Sequence, residues 1–291
     1  MRLRSGIPRL DEVRRHVRTD LYGRMLACDE VFVRDHRRLL RRYRLRWLAQ
    51  PMRHWSRRWE YPYVAQRVTE FAAGRPAPVR LLDAGSGVTF LPHFLRRQAP
   101  GLEITCCDSN RGYGRIFDRL ADAAADGRVR FAHGTLQELP VEERSQDAVC
   151  CVSVLEHTAD YERILDEFDR VLRPGGLLVL TFDVSLDGRS DIPPEDARRL
   201  LASVAERFRP EPGSDPAAEL HRLDDPDTIL STDAVRESEP ELLPWRWPLL
   251  KAAYDLLRGR GWTGGFYSLT VCCLAAYRRG PAAGAESTDH E

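Results

Sequence analysis

Short runs of apolar residues alternate along this chain with stretches whose apolar positions recur every three or four residues. Strand-like runs occupy 79–83, 102–107, 129–132, 146–152, 177–182 and 268–277. Between them, Phe90, Leu91, Phe94 and Leu95 recur at helical spacing, and 115–125, 161–172 and 194–208 read as helices too. Pro174-Gly175-Gly176 is expected to stop the helix over 161–172, and the strand after it to end at Asp183. Strand alternating with helix predicts an α/β fold with a doubly wound sheet, in which ligands bind beyond the carboxyl ends of the strands. The late strand over 268–277 would close that sheet.

Ahead of the first strand, 60–73 predicts a helix broken by Gly74-Arg75-Pro76-Ala77-Pro78, which puts a domain boundary near residue 75. Residues 1–75 then form a helical, aromatic and Arg-rich cap, with Leu39, Leu40, Tyr43, Trp47 and Leu48 on one face. Residues 76–279 form the sheet domain. Within it, 187–247 is an insertion after the fifth strand, expected to cover the substrate and to form its pocket with the aromatic N-terminal segment, 247–258 reads as a helix, and 280–291 is a small, polar tail expected to be disordered.

Composition narrows the picture a little. The chain has 291 residues, 43% hydrophobic and 30% charged, as expected of a soluble globular protein, and no run approaches a membrane span. Its first residues lack the apolar core of a secretory signal. Six of the seven cysteines stand in adjacent pairs (Cys106-Cys107, Cys150-Cys151 and Cys272-Cys273) inside strand-like runs. Neighbours on a strand point to opposite faces, so packing is the expected role, and a reduced cytoplasm fits.

Net charge is zero but unevenly placed. Residues 1–60 hold 17 Arg against 7 Asp and Glu, whereas 183–245 hold 7 Arg against 16 acids. The two segments would suit complementary surfaces on one molecule or between the subunits of a homodimer. Arg enrichment is chain-wide, with Lys251 the only Lys, so the basic start does not by itself predict nucleic acid.

The candidate chemistry begins at Asp83-Ala84-Gly85-Ser86-Gly87. A carboxylate stands at a strand tip, and two glycines let the backbone turn tightly and approach a ligand. Phe90 stands where a dinucleotide fingerprint has its third Gly or Ala, and no Gly-Lys-Ser/Thr follows. Asp108 ends the second strand, where an acid can take ribose hydroxyls. The run 146–152 leads through Ser153-Val154-Leu155-Glu156-His157 into the next helix.

Asp-Ala-Gly-Ser-Gly resembles the first motif of the class I S-adenosylmethionine (SAM) methyltransferases. The fourth strand, Val154-Leu155-Glu156-His157, a helix ending Leu172-Arg173-Pro174-Gly175-Gly176 and an apolar strand follow in that family's order over 79–183. The resemblance implies a Rossmann-like, seven-stranded methyltransferase sheet with SAM as cofactor. It implies cofactor contacts from Asp83, Gly85, Ser86, Gly87, Asp108, Ser109 and Ser153. Gly134-Thr135 departs from the family's Gly-Asp, so Thr135, Leu136 or Gln137 would substitute at the adenine. His157, Glu156 and Asp183 are the catalytic candidates, with His157 the best-suited base because its ordinary pKa is about 6.5. Some relatives bind a metal through Glu-x-x-Glu-His; Ser153 replaces the first Glu here, so no metal is expected.

Signatures of adenine-amino, cytosine-C5 and protein-arginine methylases are missing from the sequence. The remaining expectation is methyl transfer to O or N of a small molecule, a sugar or secondary metabolite, without membrane or nucleic-acid partner. The rival readings are an RNA methyltransferase served by the basic N-terminal segment, and a SAM-binding subunit without catalysis of its own.

Overall fold

The computed structural model describes residues 1–41, 43, 50–124, 127–158, 160–243, 256 and 266–280. The expectations for Trp47, Leu48, the helix over 247–258 and the tail over 280–291 lie outside these residues, but for Leu256 and Gly280.

Two helices, α1 (Leu10–His16) and α2 (Asp20–Asp35), precede the long α3 (Arg57–Ala73). The alternating part runs β1 (Val79–Ala84), α4 (Leu91–Gln98), β2 (Leu102–Asp108), α5 (Gly114–Ala124), β3 (Val129–His133), β4 (Gln146–Val152), α6 (Tyr161–Val171) and β5 (Leu172–Ser185). After it come α7 (Pro194–Arg207), β6 (Phe208–Pro210), α8 (Thr232–Ser238) and β7 (Leu269–Arg278). The seven strands lie in the order β3-β2-β1-β4-β5-β7-β6, parallel from β3 to β5 and antiparallel at β7 and β6. The order reverses between β1 and β4, which leaves a crevice beyond their carboxyl ends.

Both faces of the sheet are covered, and the paired cysteines divide between them. Cys106, Cys150 and Cys273 pack with α3, α4 and α5, while Cys107, Cys151 and Cys272 pack with α6 and α7. All are free thiols. Among the described residues, no helix is long and apolar enough to cross a membrane.

Two features differ from the sequence pattern. β5 starts at Leu172 and continues through Asp183 to Ser185, because β7 pairs along it as far as Ser185 with Leu269. Pro174-Gly175-Gly176 is absorbed as a register shift against β4, between Gln146 and Ala148. β7 lies inside the sheet, with the three-residue β6 as the edge. The N-terminal segment packs its apolar residues on the sheet: Leu3, Val13, Met25, Trp55 and Trp59 lie in the same cluster as β1 and β2. Gly6 even exchanges backbone hydrogen bonds with Cys273 of β7, at 2.6 and 3.0 Å.

Candidate active site

The crevice is built from the carboxyl end of β1 upward. Gly85 and Gly87 take φ of 78° and 55°, a left-handed backbone open to glycine at little cost. Neither has room for a side chain. A Cβ on Gly85 would fall 2.5 Å from Val154 Cγ2, and one on Gly87 would fall 2.6 Å from the Tyr43 hydroxyl. The Gly85 and Ser86 N–H groups donate to the Cys107 carbonyl, which ties the turn to β2. At the end of β2, Asp108 Oδ2 accepts from Gly87 N at 3.1 Å and Oδ1 from Asn110 N at 2.9 Å. Each oxygen keeps lone-pair capacity toward the crevice.

A cavity of about 600 Å³ opens over this turn. Its walls bring together Gly85, Ser86, Gly87, Asp108, Ser109, Thr135, Leu136, Gln137, Ser153 and His157, drawn from the ends of four strands. Asp83 is not in the wall. It is buried beneath the turn at 5% exposure and accepts from Cys150 Sγ at 3.6 Å. Burial, reinforced by the Asp108 charge, lifts its pKa from 3.8 to about 7.

That shift has a consequence for stability. The folded protein holds a proton on Asp83 between those two values where the unfolded chain does not. The stabilising contribution is therefore full below pH 3.8 and is lost as pH rises through about 7. The Asp83→Asn variant, which cannot ionise, is expected to gain in Tm relative to wild type as pH is raised across that window. Parallel Tm profiles would contradict the assignment.

Beyond β4 the chain turns sharply. Ser153 has φ of 46°, in the left-handed region, and a single helical turn, Leu155–His157, follows. His157 is exposed at the cavity, and partial desolvation of its ring, partly opposed by the Asp191 charge, lowers its pKa below 6.5. Its imidazole is neutral near neutral pH. Glu156 and Asp183 lie behind the wall instead. Both Glu156 oxygens and Asp183 Oδ1 are buried without a hydrogen-bond partner among the described residues. Burial raises the pKa of both well above the ordinary range; Asp183 adds its charge against Glu156, and Glu60 adds its charge against Asp183.

The sequence pattern passed over Arg57 and Glu60, which α3 brings to this place. Glu60 is fully buried and accepts from Ser153 Oγ at 2.6 Å, from Thr181 Oγ1 and from Arg57 Nη1. Arg57 uses that same Nη1 for Ser56 and Ser153, while its side chain, 16% exposed, reaches the cavity wall. Tyr43 and Tyr61 form more of the wall. The available signal was an acid set among Trp55, Trp59, Tyr61 and Tyr63, with an Arg three residues earlier. A carboxylate in so apolar a run has to be buried with a partner.

Residues 82–180 match the family profile described as "Methyltransferase domain". The chain is 38% identical over 104 residues to a demethylmenaquinone methyltransferase of Thermus thermophilus, covering 36% of this chain and 47% of that protein. It is 33% identical over 131 residues to a probable S-adenosylmethionine-dependent methyltransferase of Mycolicibacterium smegmatis, covering 44% and 45%. A tRNA N(3)-methylcytidine methyltransferase of Drosophila melanogaster is 32% identical over 132 residues, covering 44% and 40%. The chain thus spans about half the length, or less, of these curated relatives.

Proposed function

We propose that this chain, whose residues 82–180 form a class I SAM-dependent methyltransferase domain, transfers the methyl group of SAM to an oxygen or nitrogen of a small molecule such as a sugar or secondary metabolite. The observation that carries the reading is the cavity beyond β1, β2 and β4, walled by the glycine turn and Asp108. Its residues fit the cofactor. Asp108 has acceptor capacity left for ribose hydroxyls, and Gly85 and Gly87 let the turn close against Val154 and the Tyr43 hydroxyl, where a Cβ would not fit. Arg57 Nε and Nη2 have no partner among the described residues, so an edge of the guanidinium remains for the cofactor's carboxylate. Thr135, Leu136 and Gln137 would flank the adenine.

When bound, the cofactor supplies a methyl group already activated on a sulfonium. The protein's own part is to bind, orient and keep water out. The aromatic side chains of Tyr43 and Tyr61 wall the cavity, and Arg57 and Asp108 would fix the two ends of the cofactor. His157, neutral at working pH, would take the acceptor's proton on a ring nitrogen. Glu156 and Asp183, held toward their neutral forms, are less suited to that task and would instead shape the polar surroundings.

His157→Ala is accordingly expected to lower kcat by about 10²–10⁴-fold, with SAM affinity little changed. The wild-type rate should fall as pH drops through the pKa of His157, below 6.5, and the variant should lose that limb. An unchanged kcat would remove His157 from the chemistry. The reading as a whole is tested by incubating the protein with methyl-labelled SAM and panels of hydroxyl- and amine-bearing small molecules. The rival is an RNA acceptor, which the basic residues of 1–60 would favour. It requires polynucleotide binding that weakens steeply with salt.

A further inference from the structure

We infer that Glu60 is a positioning residue for the cofactor site: it holds the tip of β4 in the left-handed conformation that shapes the cavity over the glycine turn. The inference rests on the SAM reading above. Glu60 belongs to α3, outside the matched domain, and stands behind the cavity wall, bonded to its residues Ser153 and Arg57 without lining it.

Ser153 carries a Cβ and yet takes φ of 46°. A left-handed residue of that kind is costly unless its surroundings hold it there. One carboxylate oxygen supplies the hold. Glu60 Oε1 accepts from Ser153 Oγ, just past β4, and from Thr181 Oγ1 on β5, and the Ser153 N–H donates to the Thr181 carbonyl at 2.9 Å. Arg57 closes the arrangement by donating to both Glu60 and Ser153. The tip of β4 is therefore clamped to β5 through a side chain delivered from the N-terminal segment.

The cavity depends on this hold through the residues just after Ser153. Val154, the next residue, places its methyl groups where a Cβ on Gly85 would stand, and so closes the glycine turn from below. His157 sits three residues further on, in the turn that begins at Leu155. Relaxing Ser153 to an ordinary φ swings Val154 away from Gly85 and carries His157 with it.

Glycine at 153 separates the clamp from its purpose, because glycine takes φ of 46° without help. S-adenosylhomocysteine is titrated calorimetrically into wild type, Ser153→Ala, Ser153→Gly, Glu60→Gln and the Glu60→Gln/Ser153→Gly double variant, with Tm recorded for each. Ser153→Gly is expected to bind about tenfold more tightly than Ser153→Ala, equivalent to ~1.4 kcal/mol, although both lack the hydroxyl. Glu60→Gln should bind more weakly than wild type, and adding Ser153→Gly should recover most of that loss. Equal binding by Ser153→Ala and Ser153→Gly overturns the inference, as does a Glu60→Gln protein that binds like wild type. If Glu60→Gln does not fold, the Ala-against-Gly comparison at 153 decides alone. Variants that shift Tm while binding alike would leave Glu60 a merely structural residue. Folded wild type that binds no S-adenosylhomocysteine overturns the cofactor reading itself, and this inference with it.

Discussion

Gly85→Ala is expected to weaken S-adenosylhomocysteine binding by about 3 kcal/mol, or more than a hundredfold. Two costs combine. The backbone at 85 has φ of 78°, which alanine resists, and the new methyl would lie 2.5 and 2.9 Å from the two Val154 methyl carbons. Either the turn opens or Val154 retreats, and both distort the cavity where the cofactor's methionine end is proposed to lie. Val154→Ala in the same chain removes the steric part only, so the double variant should recover a portion of the affinity and no more. Titration calorimetry on the two proteins measures both effects. Near-wild-type binding by Gly85→Ala would mean that the ligand does not approach this turn.

The second large effect concerns stability. Arg57→Met leaves Glu60, 0% exposed, without its cationic partner, and a buried charge stripped of its partner costs about 3–5 kcal/mol. Arg57 itself keeps 16% exposure, which favours the lower end of that range. The deficit should depend on pH with a definite sign. In wild type, Arg57 and the hydroxyls of Ser153 and Thr181 outweigh burial and lower the pKa of Glu60. Its stabilising share is thus present above pH 4.5 and lost as pH falls below it. Without Arg57 the burial cost of the carboxylate dominates and its pKa rises. The variant's deficit should therefore be smaller at acid pH than at neutral pH. Adding Glu60→Gln should restore much of the neutral-pH stability. Urea unfolding at the two pH values, for the single and double variants, gives these numbers. A deficit independent of pH would show that Glu60 is not the group left exposed to the loss.

How much of the molecule is legible in its sequence depends on how locally each feature is encoded. The glycine turn, Asp108 and the exit from β4 toward His157 are short motifs at strand ends, and the crevice collects them as the strand order dictates. The division of the cysteine pairs comes from strand alternation alone. α3 is legible as a helix, but not as part of the site. It is buried nearly all round, from Trp59 through Val68, so no polar face marks Glu60 as special. Its partner Ser153 lies 93 residues away, a separation no local pattern spans. The length of β5 is hidden for a similar reason. Pro174-Gly175-Gly176 is a reliable stop in isolation, and only pairing with β4 and with the distant β7 turns it into a bulge within a strand. Asp83, Glu156 and Asp183 show the converse limit. Sequence places them at strand ends, but does not tell which side of the cavity wall their carboxyl groups occupy.

Whether this cavity binds SAM through Asp108 is decided by calorimetric titration of SAM and S-adenosylhomocysteine into wild type and Asp108→Ala. Wild type is expected to bind both, and the variant more weakly by about 1.5–3 kcal/mol, the range for hydrogen bonds to a charged group. Folded wild-type protein that binds neither ligand, or equal affinity in the two proteins, would contradict binding through Asp108.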